Sequence, residues 1–335
     1  MNVLVTGGAG YIGSHMVKLL RGEGWPVVVI DDLSTGHRGA VGDALFVECD
    51  AGDTARVAAL LSGHRISAVI HFAASSLVAE SIADPAKYYR NNVATTLGLL
   101  RAMRIAGTAR LVQSSTAAVY GEPKYLPVDE AHPTEPINPY GASKLMVERI
   151  LDDLHASDDL RSVSLRYFNA AGADPEGTLG SRHDPESHLI PLVLQAASGR
   201  RPAVSVFGTD FPTRDGTCVR DYIHVADLCS AHLLALRWLE SGGGREKINL
   251  GTGSGATVLE VIAAVERETG IALRVDRAGR RAGDPASLVA SSSRAERVLG
   301  WHPVCSDLAT IVRHAWRWEQ RMAAAVQPRD QTPAA

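Results

Sequence analysis

In the stretch PYGASKLMVERI a phenol and an ammonium group stand four residues apart, at Tyr140 and Lys144. Pro139 and Gly141 suit a turn, and Leu145, Met146 and Ile150 supply an apolar stripe, so the pattern predicts a helix. Residues at i and i+4 share one helix face. On a solvated surface such a pair does nothing. Next to an alcohol it is a candidate proton carrier with a charge partner. A phenol is a poor base at its free pKa near 10, and an adjacent ammonium favours the phenolate. Upstream, ARLVQSSTAAVYG reads as a strand that ends in Ser114, Ser115 and Thr116. In this reading Thr116 holds an alcohol oxygen while Tyr140 takes its proton.

A proton removed from an alcohol requires something to accept the hydride, and the first thirty residues supply a candidate. NVLVTGGAGYIGSHMVKLLRGEGWPVVVIDDLS reads as a buried strand, three glycines at spacing three (Gly7, Gly10, Gly13), a helix, and a second buried strand ending at Asp31. Glycines let the backbone approach a diphosphate, and a helix N-terminus offers free N–H groups and a positive dipole end. A carboxylate after the second strand accepts from the adenosine ribose hydroxyls. The whole unit, rather than a lone glycine triplet, points to a dinucleotide. Asp31 would repel a 2′-phosphate, which favours NAD over NADP; Arg38 is the one nearby residue that softens this preference. A bound nicotinamide cation would further favour the Tyr140 phenolate, and Lys144 would also bind the nicotinamide ribose.

The elements that must carry these groups alternate along the chain. ALFVECD ends in Asp50 and ISAVIHFAA is another buried strand, with a long helical stretch from about Pro85 to Ala106. Alternating strands and helices predict an α/β protein with a Rossmann-type, doubly wound parallel sheet. Ligands gather at the carboxyl ends of such strands, where Asp50, Phe72, Ala73, Ala74 and Asn91 fall.

Bulk properties fit this picture. The chain has 335 residues, 45% hydrophobic and 21% charged, with a formal charge of −3. That charge gives no nucleic-acid footprint and no attraction to anionic membranes. Four dispersed cysteines without a Cys-x-x-Cys pair read as reduced thiols of a cytoplasmic protein. No leader peptide and no membrane-spanning stretch are expected.

Several segments together resemble the extended short-chain dehydrogenase/reductase family and, within it, the UDP-glucose 4-epimerases: GYIGSH, VIHFAA, ESIADPAKYYRNNVATTLGLL, NPYGASKLMVERIL, LRYFNAAGA, GTCVRDYIHVADL and INLGTG. The likeness runs from Met1 to about Arg321. It implies NAD contacts also from Tyr11, Ile12, Asp32, Ser34, Ala51, Ser76, Ser114 and Phe168. It implies UDP-sugar contacts from Asn169, His188, Leu189, Phe207, Arg220, Tyr222, Arg281, Asp284 and Leu288, besides Thr116 and Tyr140. The family often has asparagine where His188 stands, and a purely structural histidine is an equal reading. Serine occupies position 76, where a lysine near the cofactor phosphates is sometimes found. The resemblance implies three regions: an NAD-binding domain over 1–168, a smaller α/β domain for the nucleotide sugar over 169–321 with some chain returning to the first, and a disordered tail over 322–335. It also implies a homodimer, built on the stretch after Pro85 and the helix starting at Tyr140.

Related dehydratases place an acidic pair directly after the threonine, and decarboxylases a glutamate at the second of those positions; here they are Ala117 and Ala118. One hydride and one proton can then be removed and returned, as epimerisation at C4 of UDP-glucose or UDP-galactose requires. The alternatives are a 4-epimerase of another UDP-sugar (N-acetylated, pentose or uronic acid) and a non-catalytic NAD sensor, which would commonly lack the tyrosine or lysine. NLGTGSGATVLEV looks like a second dinucleotide loop but lacks the downstream strand and acid, and Thr257 and Glu260 read as a capping box. SRHDPESH lacks the spacing of zinc proteins, so no metal is assigned.

Overall fold

The computed structural model describes residues 1–281 and 284–326. Its frame is a seven-stranded, all-parallel sheet. The strands are β1 (Val3–Thr6), β2 (Val27–Asp31), β3 (Leu45–Glu48), β4 (Ala68–His71), β5 (Arg110–Thr116), β6 (Arg161–Tyr167) and a seventh, Arg245–Leu250. Their order is seventh–β6–β5–β4–β1–β2–β3. The chain builds outward from β1 to β3, returns to β4 beside β1, and builds outward the other way. That reversal opens a crevice at the carboxyl ends of β1 and β4, where such sheets take ligands. The fold class read from the alternation is the one observed.

Both sheet faces are covered, which is why the strands are apolar runs rather than alternating ones. Met16, Val17 and Leu20 from helix α1 (Tyr11–Gly22) join Leu228 and Leu236 on one face. Val57, Leu61, Leu99, Met103, Val147 and Leu151 cover the other. Each such fully buried aliphatic side chain contributes roughly 1.5–3 kcal/mol. A separate apolar core forms after β6, around Ile190, Val193, Val206, Phe211, Tyr222, Val261 and Ile311.

The expected helix over 85–106 is continuous but not uniform: Pro85–Tyr88 and Thr95–Ala106 are α-helical, and Tyr89–Ala94 is a π-helical turn. Such widenings recur at functional sites. This one lets two adjacent asparagines reach the same segment: Asn92 Nδ2 donates to the Ser75 carbonyl at 3.0 Å and Asn91 Nδ2 to Ser75 Oγ at 3.1 Å. The last helix, Leu308–Val326, extends into the stretch expected to be a tail, which is corrected accordingly; 327–335 lie outside the described residues. The capping box reading holds: Thr257 accepts from Glu260 N, and Glu260 reaches back to Thr257 N. The glycine-rich loop before it wraps a carboxylate of the protein itself, since Thr252 N, Gly253 N and Ala290 N all donate to Asp221. Among the described residues no helix is long and apolar enough to cross a membrane.

Candidate active site

The glycine loop is shaped by sterics. Gly7 has φ +68°, and a Cβ there would lie 2.5 Å from Ala73 N; at Gly13 it would lie 2.1 Å from Gly7 O. Neither position tolerates a side chain. Gly10 caps α1 without any side-chain hydrogen bond, so the first N–H groups of the helix keep no side-chain partner. Asp31 closes the loop. Its Oδ2 accepts from Ala9 N at 3.0 Å and its Oδ1 from Leu33 N at 2.9 Å. Each carboxylate oxygen retains a lone pair for a ribose hydroxyl. Burial pushes the Asp31 carboxyl up, opposed by those two N–H groups. Arg38 holds its guanidinium over the Phe46 ring at 4.6 Å and donates from Nη1 to the Gly42 carbonyl at 3.2 Å.

A cleft runs along the rim of this loop, lined by Gly10, Tyr11, Thr35, His37, Arg182 and His183 among others. Tyr11 Oη donates to the Gly172 carbonyl at 2.7 Å, tying the start of α1 to the chain after β6. The other expected cofactor residues are placed unevenly. Ile12 packs against the core, Ala51 is buried, and Phe72, Ala73 and Ala74 follow β4. Asp50 binds Gly52 N at 2.7 Å, and Asp32 holds Ser34 N and Oγ in a surface turn. Ser76 is exposed. Phe168 packs on Ala117, Val119, Tyr120 and Val128.

The residues expected to transfer the proton lie at the end of β5 and on the helix Pro139–Asp158. Asn138 caps the helix Pro139–Asp158 by accepting from Gly141 N at 2.9 Å, and Pro139 occupies its first turn. One turn in, Lys144 is 3% exposed and donates from Nζ to the Ser114 carbonyl at 2.9 Å. Ser114 Oγ is hydrogen-bonded to Tyr167 Oη from β6. The Tyr140 ring lies edge-on to Tyr88, centroids 6.3 Å apart, and Thr116 Oγ1 accepts from Ala118 N at 3.1 Å.

The Lys144 ammonium, expected to favour the phenolate, donates to the Ser114 carbonyl, a contact that leaves its charge in place. Burial raises the Tyr140 pKa, and the Thr116 hydroxyl is the group that opposes the rise. Burial also lowers Lys144 to about 8, against the pull of Glu148. In a low-dielectric pocket desolvation outweighs a single neighbour, so further bias toward phenolate has to come from a bound cation.

The expected substrate residues form a second group. Asn169 pairs with Tyr222 in parallel register, and Leu288 pairs with Arg220. Arg220 Nη2 donates to Asp284 Oδ1 at 2.6 Å, and Arg281 stacks on Phe207 at 3.8 Å. Leu189 opens the helix Leu189–Ala197, and His188 is its N-cap. His188 Nδ1 lies 2.7 Å from Glu186 Oε1. His183, Glu186 and His188 do converge, within 4.8 Å. Glu186, however, already accepts from Ser181 Oγ, Ser187 N and His188 N, which makes it a brace for this loop; Glu186 is held down to about 2, burial opposing and His188 outweighing it. Sequence reasoning missed this brace. It also missed Tyr167, Glu148 and Arg166, of which only Glu148 left a signal, four residues past Lys144 on the same helix face.

Residues 3–251 match the model of the NAD dependent epimerase/dehydratase family. The chain is 50% identical over 320 residues to the UDP-glucose 4-epimerase of Halalkalibacterium halodurans, covering 96% of each chain. Among solved structures it is similar to UDP-glucose 4-epimerase from Brucella ovis in complex with NAD (TM-score 0.92, 51% identity, 94% and 97% of the two chains). It is also similar to the enzyme from Stenotrophomonas maltophila with bound NAD and formylated UDP-arabinopyranose (TM-score 0.95, 44% identity, 97% and 100%). The glycine loop, the strand-end group and these likenesses agree, and the chain belongs to the NAD dependent epimerase/dehydratase family.

Proposed function

We propose that the chain interconverts UDP-glucose and UDP-galactose at C4 through a 4-keto sugar. The observation that carries this is the strand-end group: Thr116, Tyr140 and Lys144 converge, while the two positions after Thr116 are alanines in a short 3-10 turn. A single proton carrier and no further acid or base suits a reaction that returns what it removes. Gly7, Gly10, Gly13, Asp31 and Lys144 would hold NAD, and the crowding at Gly7 and Gly13 and the uncapped start of α1 fit a diphosphate there. When bound, NAD supplies a hydride acceptor and, later in the cycle, the donor. Tyr140 takes the proton of the C4 hydroxyl, Thr116 holds that oxygen, and Tyr140 returns the proton after the flat ketone has presented its other face. Asn169, Tyr222, Arg220, Arg281 and Asp284 would bind the UDP portion, leaving the sugar free to turn about its bond to the diphosphate. The test is conversion of UDP-galactose to UDP-glucose without added reductant, with NAD measured in the supernatant of denatured protein. Absence of turnover, or activity that needs stoichiometric NAD, sinks the reading.

The same reading divides the chain into an NAD-binding domain over 1–168 and a nucleotide-sugar domain over 169–321. The separate apolar core after β6 supports the division, and the strand Arg245–Leu250 is the segment that returns to the first sheet. Four free thiols, three of them buried, support a cytoplasmic protein. A homodimer is supported by Tyr89, Leu97, Ile105 and Met146, apolar side chains exposed on the two helical stretches expected at the interface. A second reading, tolerance of N-acetylated UDP-sugars, rests on Leu288, where a larger side chain would narrow the space beside the 2-position.

A further inference from the structure

Behind the strand-end group lies a charge pair that the reaction as described does not use. Glu148 is 0% exposed and Arg166 3% exposed. Arg166 donates from Nε to Glu148 Oε1 at 2.9 Å and from Nη2 to Oε2, a bidentate grip across β6 and the helix Pro139–Asp158. Oε1 also accepts from Ser115 Oγ at 2.6 Å. Arg166 Nη1 donates to Tyr120 Oη at 2.8 Å, and Tyr120 Oη to Asn249 Oδ1 at 2.6 Å, so every arm of the pair is anchored. Such pairs are expensive to bury, and apolar residues of similar size are often as stable or more so. A role beyond stability is therefore worth seeking.

The location suggests one. Ser115 sits between the two strand-end residues that matter: the Ser114 carbonyl receives Lys144, and Thr116 meets Tyr140. Glu148 stands one turn past Lys144 and two turns past Tyr140 on the same helix. A single carboxylate thus fixes the register between the strand that supplies two contacts and the helix that supplies their partners. We propose that Glu148, held by Arg166, is a positioning residue for proton transfer: it pins Ser115 to the helix and keeps a fixed negative charge one turn from the Lys144 ammonium. The proposal rests on the epimerase reading above. The titratable and charged groups around Lys144 are Tyr140 and Glu148 from its own helix, His71 from β4, and Tyr167 and the Glu148-bound Arg166 from β6. Burial holds Tyr167 neutral and lowers His71 to about 3, with Lys144 adding to the effect. Glu148 is the carboxylate among them, a negative charge that does not depend on whether Tyr140 has given up its proton. Without it the ammonium loses its proton at a lower pH.

The test pairs two variants. Ser115→Ala leaves the ion pair intact and removes only its hold on the strand. The expected result is a fall in kcat of roughly tenfold at unchanged KM for UDP-galactose, with a lowered Tm that still leaves the protein fully folded at the assay temperature. Glu148→Gln with Arg166→Met removes the charge without stranding a buried guanidinium. Because the Arg166 cation leaves with the carboxylate, the alkaline limb of kcat in this variant moves down by at most about one pH unit, and the pH at which NAD affinity falls off moves with it. NAD affinity is measured by calorimetry without any sugar, so a protein inactive on UDP-galactose would refute the epimerase reading while leaving this readout intact. Wild-type kcat in Ser115→Ala overturns the positioning role. An unchanged limb and unchanged NAD titration in the folded double variant overturn the electrostatic one. If the double variant does not fold, Ser115→Ala decides alone.

Discussion

The two halves of the site are built differently. The proton-transfer half stands on long elements: β5 and β6 are seven residues each, the helix Pro139–Asp158 is twenty, and Lys144 is packed into the core between them. The substrate half stands on fragments. Arg220 lies on the two-residue strand Val219–Arg220, clamped between Ala256–Thr257 and Ser287–Leu288, and its guanidinium is held by Asp284 and the Pro285 carbonyl. A catalytic group needs its atoms fixed to a fraction of an ångström, which long packed elements provide. A group that reads a ligand can be assembled from short pieces whose charges satisfy one another until the ligand competes. Changes in the first half should therefore act on kcat and changes in the second on KM.

The sharpest check is Tyr140→Phe. It removes one hydroxyl and leaves the packing, so kcat should fall by roughly 10²–10⁴-fold while NAD stays bound. Near-normal turnover would mean that Tyr140 is not the proton carrier and that the long-element half is not the chemical one. Acid should act next most strongly, and on both halves together. His224 Nδ1 accepts from Ala226 N, so its Nε2–H is the donor to His314 Nδ1 at 3.0 Å, and the pair is neutral as built. Burial holds His224 and His232 down to about 4 and His71 to about 3, against 6.5 when unfolded. A histidine with a lowered folded pKa contributes stability that is present above pH 6.5 and lost as pH falls toward the folded value. For His224 alone this approaches ~3 kcal/mol by pH 4. Urea midpoints should fall steadily from pH 6.5 to 4.5, and a flat profile would remove these histidines from the account.

Arg220→Met tests the substrate half directly. Loss of a charge-assisted contact to a diphosphate costs about 1.5–3 kcal/mol, so KM for UDP-galactose should rise roughly ten- to a hundred-fold with kcat nearly kept. A drop confined to kcat would erase the distinction between the halves. The smallest effect on UDP-galactose itself is expected from Leu288→Tyr, which should act on selectivity alone. Apolar pockets reject one extra group by roughly ten- to two-hundred-fold, and the ratio of kcat/KM for UDP-N-acetylgalactosamine to that for UDP-galactose should fall within that range. An unchanged ratio would remove Leu288 from the sugar pocket.

Local sequence carried the first half well because its determinants are local. Three glycines at fixed spacing, buried apolar strands, an acid at a strand end and an i,i+4 pair each have a physical meaning within a few residues, and they determined the doubly wound sheet and NAD and pointed to the proposed Thr116–Tyr140–Lys144 group. What the sequence left undecided depends on distance in the chain. That the Lys144 ammonium reaches the Ser114 carbonyl, and that burial raises the Tyr140 phenol, follow from how β5 meets a helix some thirty residues later. That Asp221 fills the second glycine loop, that Glu186 braces His188, and that Glu148 and Arg166 share a buried pair behind the site are contacts between segments whose residues look unremarkable alone. Desolvation and ion pairing depend on what surrounds a group in three dimensions, and only the tertiary structure decides that.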